Sequence, residues 1–263
     1  MDNKTQYDEI LEVFREIIEN IDDDTDVWEV IDVLSYMRAR YLFSIVADNL
    51  FLSYEYAIDI VEENIDKHKD DIKDNEALVL VSAIKNLIDF SVSQQYQMMT
   101  EMPSEMSMDN WDEMEDTFET YNKLYASAEN DIVDQSAKVA LAWMYFDEES
   151  IITYNTQRDE RVRDSHALLD GLMYKKKDFP EHLHPPIDWG CRCFLVSSGY
   201  PSMQSMLQAK TVGDIYFNPI FSESLATGGK IFGDEHSYFD ISEEHIDKIQ
   251  SIKKDILKRM ING

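Results

Sequence analysis

Thr153-Tyr154-Asn155-Thr156-Gln157-Arg158-Asp159-Glu160-Arg161-Val162-Arg163-Asp164-Ser165-His166-Ala167-Leu168-Leu169-Asp170-Gly171 ends on the first glycine of the chain. All 8 glycines (Gly171, Gly190, Gly199, Gly213, Gly228, Gly229, Gly233 and Gly263) lie at or beyond that point, and of the 6 prolines only Pro103 comes before it. So long a stretch without glycine reads as helix, because nothing in it demands a positive φ or breaks the backbone hydrogen-bond ladder. The chain therefore divides near this segment into a helical front and a glycine-bearing back, which together make a predominantly α, α+β protein.

Working back from Thr153, apolar residues recur at helical spacing. Ile10, Leu11, Phe14, Ile17 and Ile18 mark one amphipathic face, and Asp26 followed by Glu29 resembles a capping box ahead of Val27, Ile31, Leu34, Met37 and Tyr41. Helices are predicted at roughly 6–20, 26–52, 54–68, 75–100, 110–127 and 129–146. Met98, Met99, Met102, Met106, Met108 and Met114 gather around Pro103. They read either as a flexible connector or adaptable docking surface, or as a loop whose methionines fill gaps in a core.

Charge divides the chain at the same place. Residues 1–150 carry 37 of the 53 Asp+Glu and 10 of the 24 Lys+Arg, a balance of -27, whereas residues 151–263 carry the remaining 16 and 14, a balance of -2. Coulomb repulsion disfavours duplex DNA as a direct partner of the acidic front, whose acids either solvate the outer helix faces or meet a basic protein surface. Any DNA contact is expected only at Lys175-Lys176-Lys177 and Arg158-Arg161-Arg163, weak or indirect at most. The first residues lack the basic and apolar regions of a secretory signal, and the longest apolar stretch, Tyr41 to Ser53, is too short to span a bilayer, so no membrane is expected.

The back half holds the chemistry. On a helix, Asp159, Arg163, His166 and Asp170 would share one face, with Gly171 as its stop. His182 and His184 precede Pro185-Pro186 and are expected on extended chain, pointing the same way; Cys191 and Cys193 stand in the same relation, with Arg192 between them facing oppositely, placed to clamp a carboxylate. Imidazole nitrogen and thiolate suit zinc, so His166, His182, His184, Cys191 and Cys193 offer ligands for one structural zinc; the alternative is buried thiols and hydrogen-bonded histidines. The one-residue spacing of the cysteines argues against a disulfide between them. Cys191 as a nucleophile with His166 as base and Asp164 or Asp170 as orienter has no local support. Gly228-Gly229-Lys230-Ile231 is a turn rather than a phosphate loop, since Ile231 stands where magnesium binding needs a hydroxyl.

Thr156, Asp159, Arg161 to Arg163, His166, Asp170-Gly171, Pro185-Pro186 and Cys191-Arg192-Cys193, in that order and spacing, resemble the phage Mu protein F-like family of head morphogenesis proteins. Phe217-Asn218-Pro219, Lys230-Ile231-Phe232 and His236-Ser237-Tyr238-Phe239 are similar to the endings of some members, with Ser237 where proline is usual. The resemblance implies a Mu F-like α+β module over 147–240, which charge, glycine content and apolar spacing set between an acidic helical region over 1–146 and a C-terminal amphipathic helix over 241–263. It implies a non-enzymatic minor head protein of a tailed phage or prophage, in the virion head or in the bacterial cytoplasm during assembly, with portal or coat protein as partner. A metal-dependent hydrolase or effector derived from the same module is the alternative.

Overall fold

The computed structural model describes residues 3–21, 26–197 and 217–263. Its helices are α1 (Asn3–Glu19), α2 (Val27–Asn49), α3 (Tyr54–Asn64), α4 (Asn75–Thr100), α5 (Trp111–Glu119), α6 (Ala126–Met144), the single turn α7 (Asp164–Ala167) and α8 (Ile246–Asn262). Strands β1 (Ile151–Asn155), β2 (Met173–Lys175) and β3 (Phe194–Ser197) form an antiparallel sheet in the order β2-β1-β3. The architecture is α+β and predominantly helical.

Local chemistry starts the helices. The Asp26 carboxylate accepts from Trp28 N (3.1 Å), Ser53 Oγ from Tyr56 N (3.2 Å), and Asp74 Oδ1 from Glu76 N (2.8 Å), which satisfies amide donors that α2, α3 and α4 would otherwise leave unpaired. A break was expected near residue 128, but α5 continues into α6 through a π-helical turn, Thr120–Tyr125. The methionines around Pro103 resolve toward core filling: Met98, Met99, Met102 and Met114 are buried, and only Met108 is substantially exposed.

α2 and α4 are the central pair, apolar over much of their circumference, and α1, α3, α6 and α8 pack around them. α8 buries Ile249, Ile252, Ile256 and Met260 against this pair, and Arg259 and Lys253 reach Asp32 and Asp89. The hydrophobic core runs unbroken from Ile10 in α1 through Tyr154 and Leu195 of the sheet to Met260 in α8. Residues on both sides of positions 146 and 240, where the sequence changes character, contribute to this same core.

The segment 230–239 makes that continuity. Asn86 of α4 treats it as a strand would: Oδ1 accepts from Ile231 N and Phe232 N (both 2.9 Å), and Nδ2 donates to Phe232 O (2.9 Å). Phe232 stacks on Phe90 with ring centroids 3.9 Å apart. Gly229 permits the turn before it, since a Cβ there would lie 2.9 Å from Ser224 backbone atoms.

A charged network lies where the helices meet. Arg38, wholly buried, donates to Glu129 Oε2 (2.9 Å), Asn130 Oδ1 (2.6 Å) and Gln94 Oε1 (3.2 Å). Glu129 also accepts from Gln94 Nε2 (2.6 Å) and from the Tyr238 hydroxyl (3.0 Å). Burial pushes Glu129 up and Arg38 down, and their mutual pairing opposes both shifts.

Candidate metal centre

Three of the five proposed zinc ligands converge. His166 stands on α7, and Cys191 and Cys193 flank Arg192 just ahead of β3; their donor atoms all lie within 4.8 Å of one another, and all three residues are buried. Cys193 Sγ is 3.5 Å from His166 Nδ1, and both cysteines are free thiols.

Backbone anchors fix the two thiols on one side of the chain. Gln135 Nε2 donates to Cys193 O (2.7 Å), Gln157 Nε2 to Arg192 O (3.0 Å), and Cys191 N to Asp188 O (3.1 Å). Arg192, facing the other way, grips Asp159 with two parallel bonds of 2.8 and 2.7 Å, and that grip holds the Asp159 carboxyl below the usual range. The proximity of the two buried thiols lowers Cys191 and pushes Cys193 up.

Tyr154 of β1 adds a group that reading the sequence missed. Its hydroxyl is buried beside both thiols and meets neither with the geometry of an ordinary hydrogen bond, although a buried hydroxyl ordinarily finds a partner. A thiolate would accept from it. Tyr154 alternates with Ile152 and so passes in the sequence for an ordinary core position of a strand.

His182 and His184 do not join the centre. Residues Glu181–Leu183 form a 3-10 turn instead of extended chain, so the two rings diverge. His182 packs on Phe217 (4.8 Å between centroids), and His184 packs edge-on against Trp143 (4.4 Å) with Nδ1 2.8 Å from Glu181 O. Burial lowers the His184 pKa to about 4.

The predicted helix through Asp159 to Asp170 shrinks to the four residues of α7. Side-chain bonds to backbone replace the ladder: Asp159 accepts from Arg161 N (3.2 Å), and Asp170 accepts from Thr156 N (2.8 Å) and Thr156 Oγ1 (3.1 Å). Asp170 also receives Arg158 Nε at 3.0 Å. Burial pushes this carboxyl up, but the Thr156 and Arg158 bonds outweigh it and leave it lowered. Asp170 is thus not an orienter for His166. Arg163 donates to Trp189 O (2.6 Å) and pairs with Asp188 (3.3 Å). Gly171, at φ 82, turns the chain back so that its N–H donates to Tyr154 O (2.8 Å). These family-motif residues lock the loops that carry the ligands.

The two basic clusters are largely neutralised at home. Lys175 and Lys177 both bind Glu149 (2.8 and 2.6 Å), Lys176 binds Glu148 (2.9 Å) and Phe146 O (2.8 Å), and Arg158 and Arg163 are paired as above. Among the described residues, no helix is long and apolar enough to cross a membrane.

Residues 92–196 match the family described as Phage Mu protein F like protein. The match takes in the end of α4, the α5–α6 helix, the sheet and all three ligands, and stops before the 217–239 segment that carries the second resemblance. An uncharacterized protein of Methanocaldococcus jannaschii is 50% identical over 42 residues, which span 16% of this chain and 7% of that relative. No solved structure matches. The central span of this chain, holding His166, Cys191 and Cys193 together, is similar to the phage Mu protein F-like family.

Proposed function

We propose that the chain is a non-enzymatic minor head protein of a tailed phage or prophage, associated with the portal or the capsid interior and acting in head morphogenesis. The family match across the sheet and the metal centre carries this reading. The surface chemistry supports recruitment through protein contacts: the front half carries -27 from 37 acids and 10 bases, and the basic clusters of the back half, Arg161 apart, are already paired with carboxylates. The acidic helices face a basic or mixed surface on portal or coat, and the protein resides in the virion head or in the host cytoplasm during assembly.

Within this role His166, Cys191 and Cys193 hold one structural zinc, which ties α7 to the start of β3. The donors are those zinc prefers, and the buried, unpartnered Tyr154 hydroxyl fits a site built for thiolates. A hydrolytic zinc would need a carboxylate at hand as general base. The nearby acids Asp159, Asp170 and Asp188 are each committed to an arginine.

Co-expression of the full chain with the portal and coat proteins of the same genome tests the assembly role. Capture of portal or coat that declines as salt rises is expected. Failure to retain either at low salt, or tight sequence-independent DNA binding by the chain, would contradict it.

A further inference from the structure

We infer that the His166–Cys191–Cys193 centre is an open metal site, whose fourth ligand is a carboxylate admitted through the cleft rimmed by Arg161 and Arg163. The inference rests on the metal reading above. Zinc in a structural site takes four ligands, and the described residues bring only three donors together. Residues 198–216, outside the described set, contain neither histidine nor cysteine, and their one carboxylate is that of Asp214.

The fourth direction has a definite lining. A cleft over the three ligands is walled by Gln157, Arg161, Val162, Arg163 and Gly190, with Arg192 at its edge, and has room for a single water-sized group. Among the described residues no carboxylate lines it. Arg192 and Arg163 are engaged with Asp159 and Asp188, whereas Arg161 has no acid within ion-pair distance among the described residues. With Cys191 and Cys193 as thiolates, a divalent ion leaves the centre neutral, and the cationic rim then favours an anion.

Size and charge select the anion. One carboxylate oxygen fits the water-sized space on the metal, at about 2.0–2.2 Å for zinc, while the second oxygen lies toward the guanidinium of Arg161. A phosphate on a nucleic acid would bring further negative charge to a chain of net charge -29. Protons and ligands balance: metal entry displaces the thiol protons of Cys191 and Cys193, and the carboxylate then replaces one bound water.

Cobalt(II)-loaded full chain reports both steps. The near-ultraviolet thiolate-to-cobalt band reads metal binding, and the visible ligand-field bands read the fourth ligand. Titration with acetate should move the visible bands to saturation, with phosphate weaker. Arg161→Gln should leave the thiolate band intact and weaken acetate binding about 10-fold, a change of about 1.4 kcal/mol. Visible bands unmoved by acetate, equal acetate affinity in Arg161→Gln, or phosphate binding more tightly than acetate would each overturn the open carboxylate site while leaving the metal in place. Absence of the thiolate band in the wild-type chain would overturn the metal reading itself, and this inference with it.

Discussion

Replacing Glu129 by Gln probes the junction on which the packing of α2, α4, α6 and the C-terminal segment depends. Arg38 is 0% exposed and Glu129 is 2% exposed, so the substitution leaves a guanidinium buried without its counter-ion. Breaking such a pair costs about 3–5 kcal/mol, because the remaining charge keeps its desolvation penalty and loses its compensation. Geometry favours the upper part of that range, since Gln94 Nε2 and the Tyr238 hydroxyl both donate to the same carboxylate, at 2.6 and 3.0 Å. With a urea slope of about 3 kcal/mol per molar for a chain of this size, the unfolding midpoint should fall by about 1 M or more. A double-mutant cycle with Arg38→Met and Glu129→Leu should be strongly non-additive, the double variant being more stable than the two single losses imply. A Glu129→Gln loss below about 1 kcal/mol, or an additive cycle, would refute the assignment of Arg38 and Glu129 as a mutually compensating buried pair.

Three further outcomes follow from the back half of the chain. Protein purified without chelator should carry at most one zinc per chain, and Cys191→Ser/Cys193→Ser should abolish it; equal zinc in both would remove the thiolates from the site. Tyr154→Phe should weaken metal affinity about 10-fold or more, yet leave the metal-free chain no less stable, because its hydroxyl has no partner there; competition with a zinc indicator and urea melts of the apo chain read the two halves. Burial lowers His184 and His236 to about 4 from an unfolded value of about 6.5, so the unfolded chain binds more protons between those limits and stability falls as pH drops through that window. The carboxyls of half-buried Glu76 and of Asp131 at the surface are raised and act with the opposite sign. The histidine contribution is therefore read as the difference between wild type and His236→Asn, and an identical pH dependence of the two would contradict it.

The helices were legible because helix chemistry is local: absence of glycine, capping at Asp26, and apolar spacing through Ile10, Phe14 and Ile18 are all short-range signals. Arg38 left a trace as well, a lone cation on the same face as Leu34 and Leu42, but its partners come from α1, α4 and α6. The join between Asn86 and Phe232 has no trace, since the matching of an amide to backbone 146 residues away is a property of the fold. At the metal centre, the alternation of Cys191 and Cys193 about Arg192 follows from extended chain and was readable. The divergence of His182 and His184 was not, because a 3-10 turn between prolines and extended chain look alike in sequence. The helical face drawn through Asp159 and Asp170 failed for a related reason: Asp and Thr side chains compete with the helix ladder for backbone amides, and here they win.

Assembly into heads is tested most directly by mass spectrometry of particles produced from the genome that encodes this chain, after purification, protease treatment and nuclease treatment. A minor head protein of the portal or capsid interior should be retained in those particles, protected from protease, at a copy number far below that of the coat protein. Its complete recovery in the soluble fraction, with none in the heads, would contradict the account.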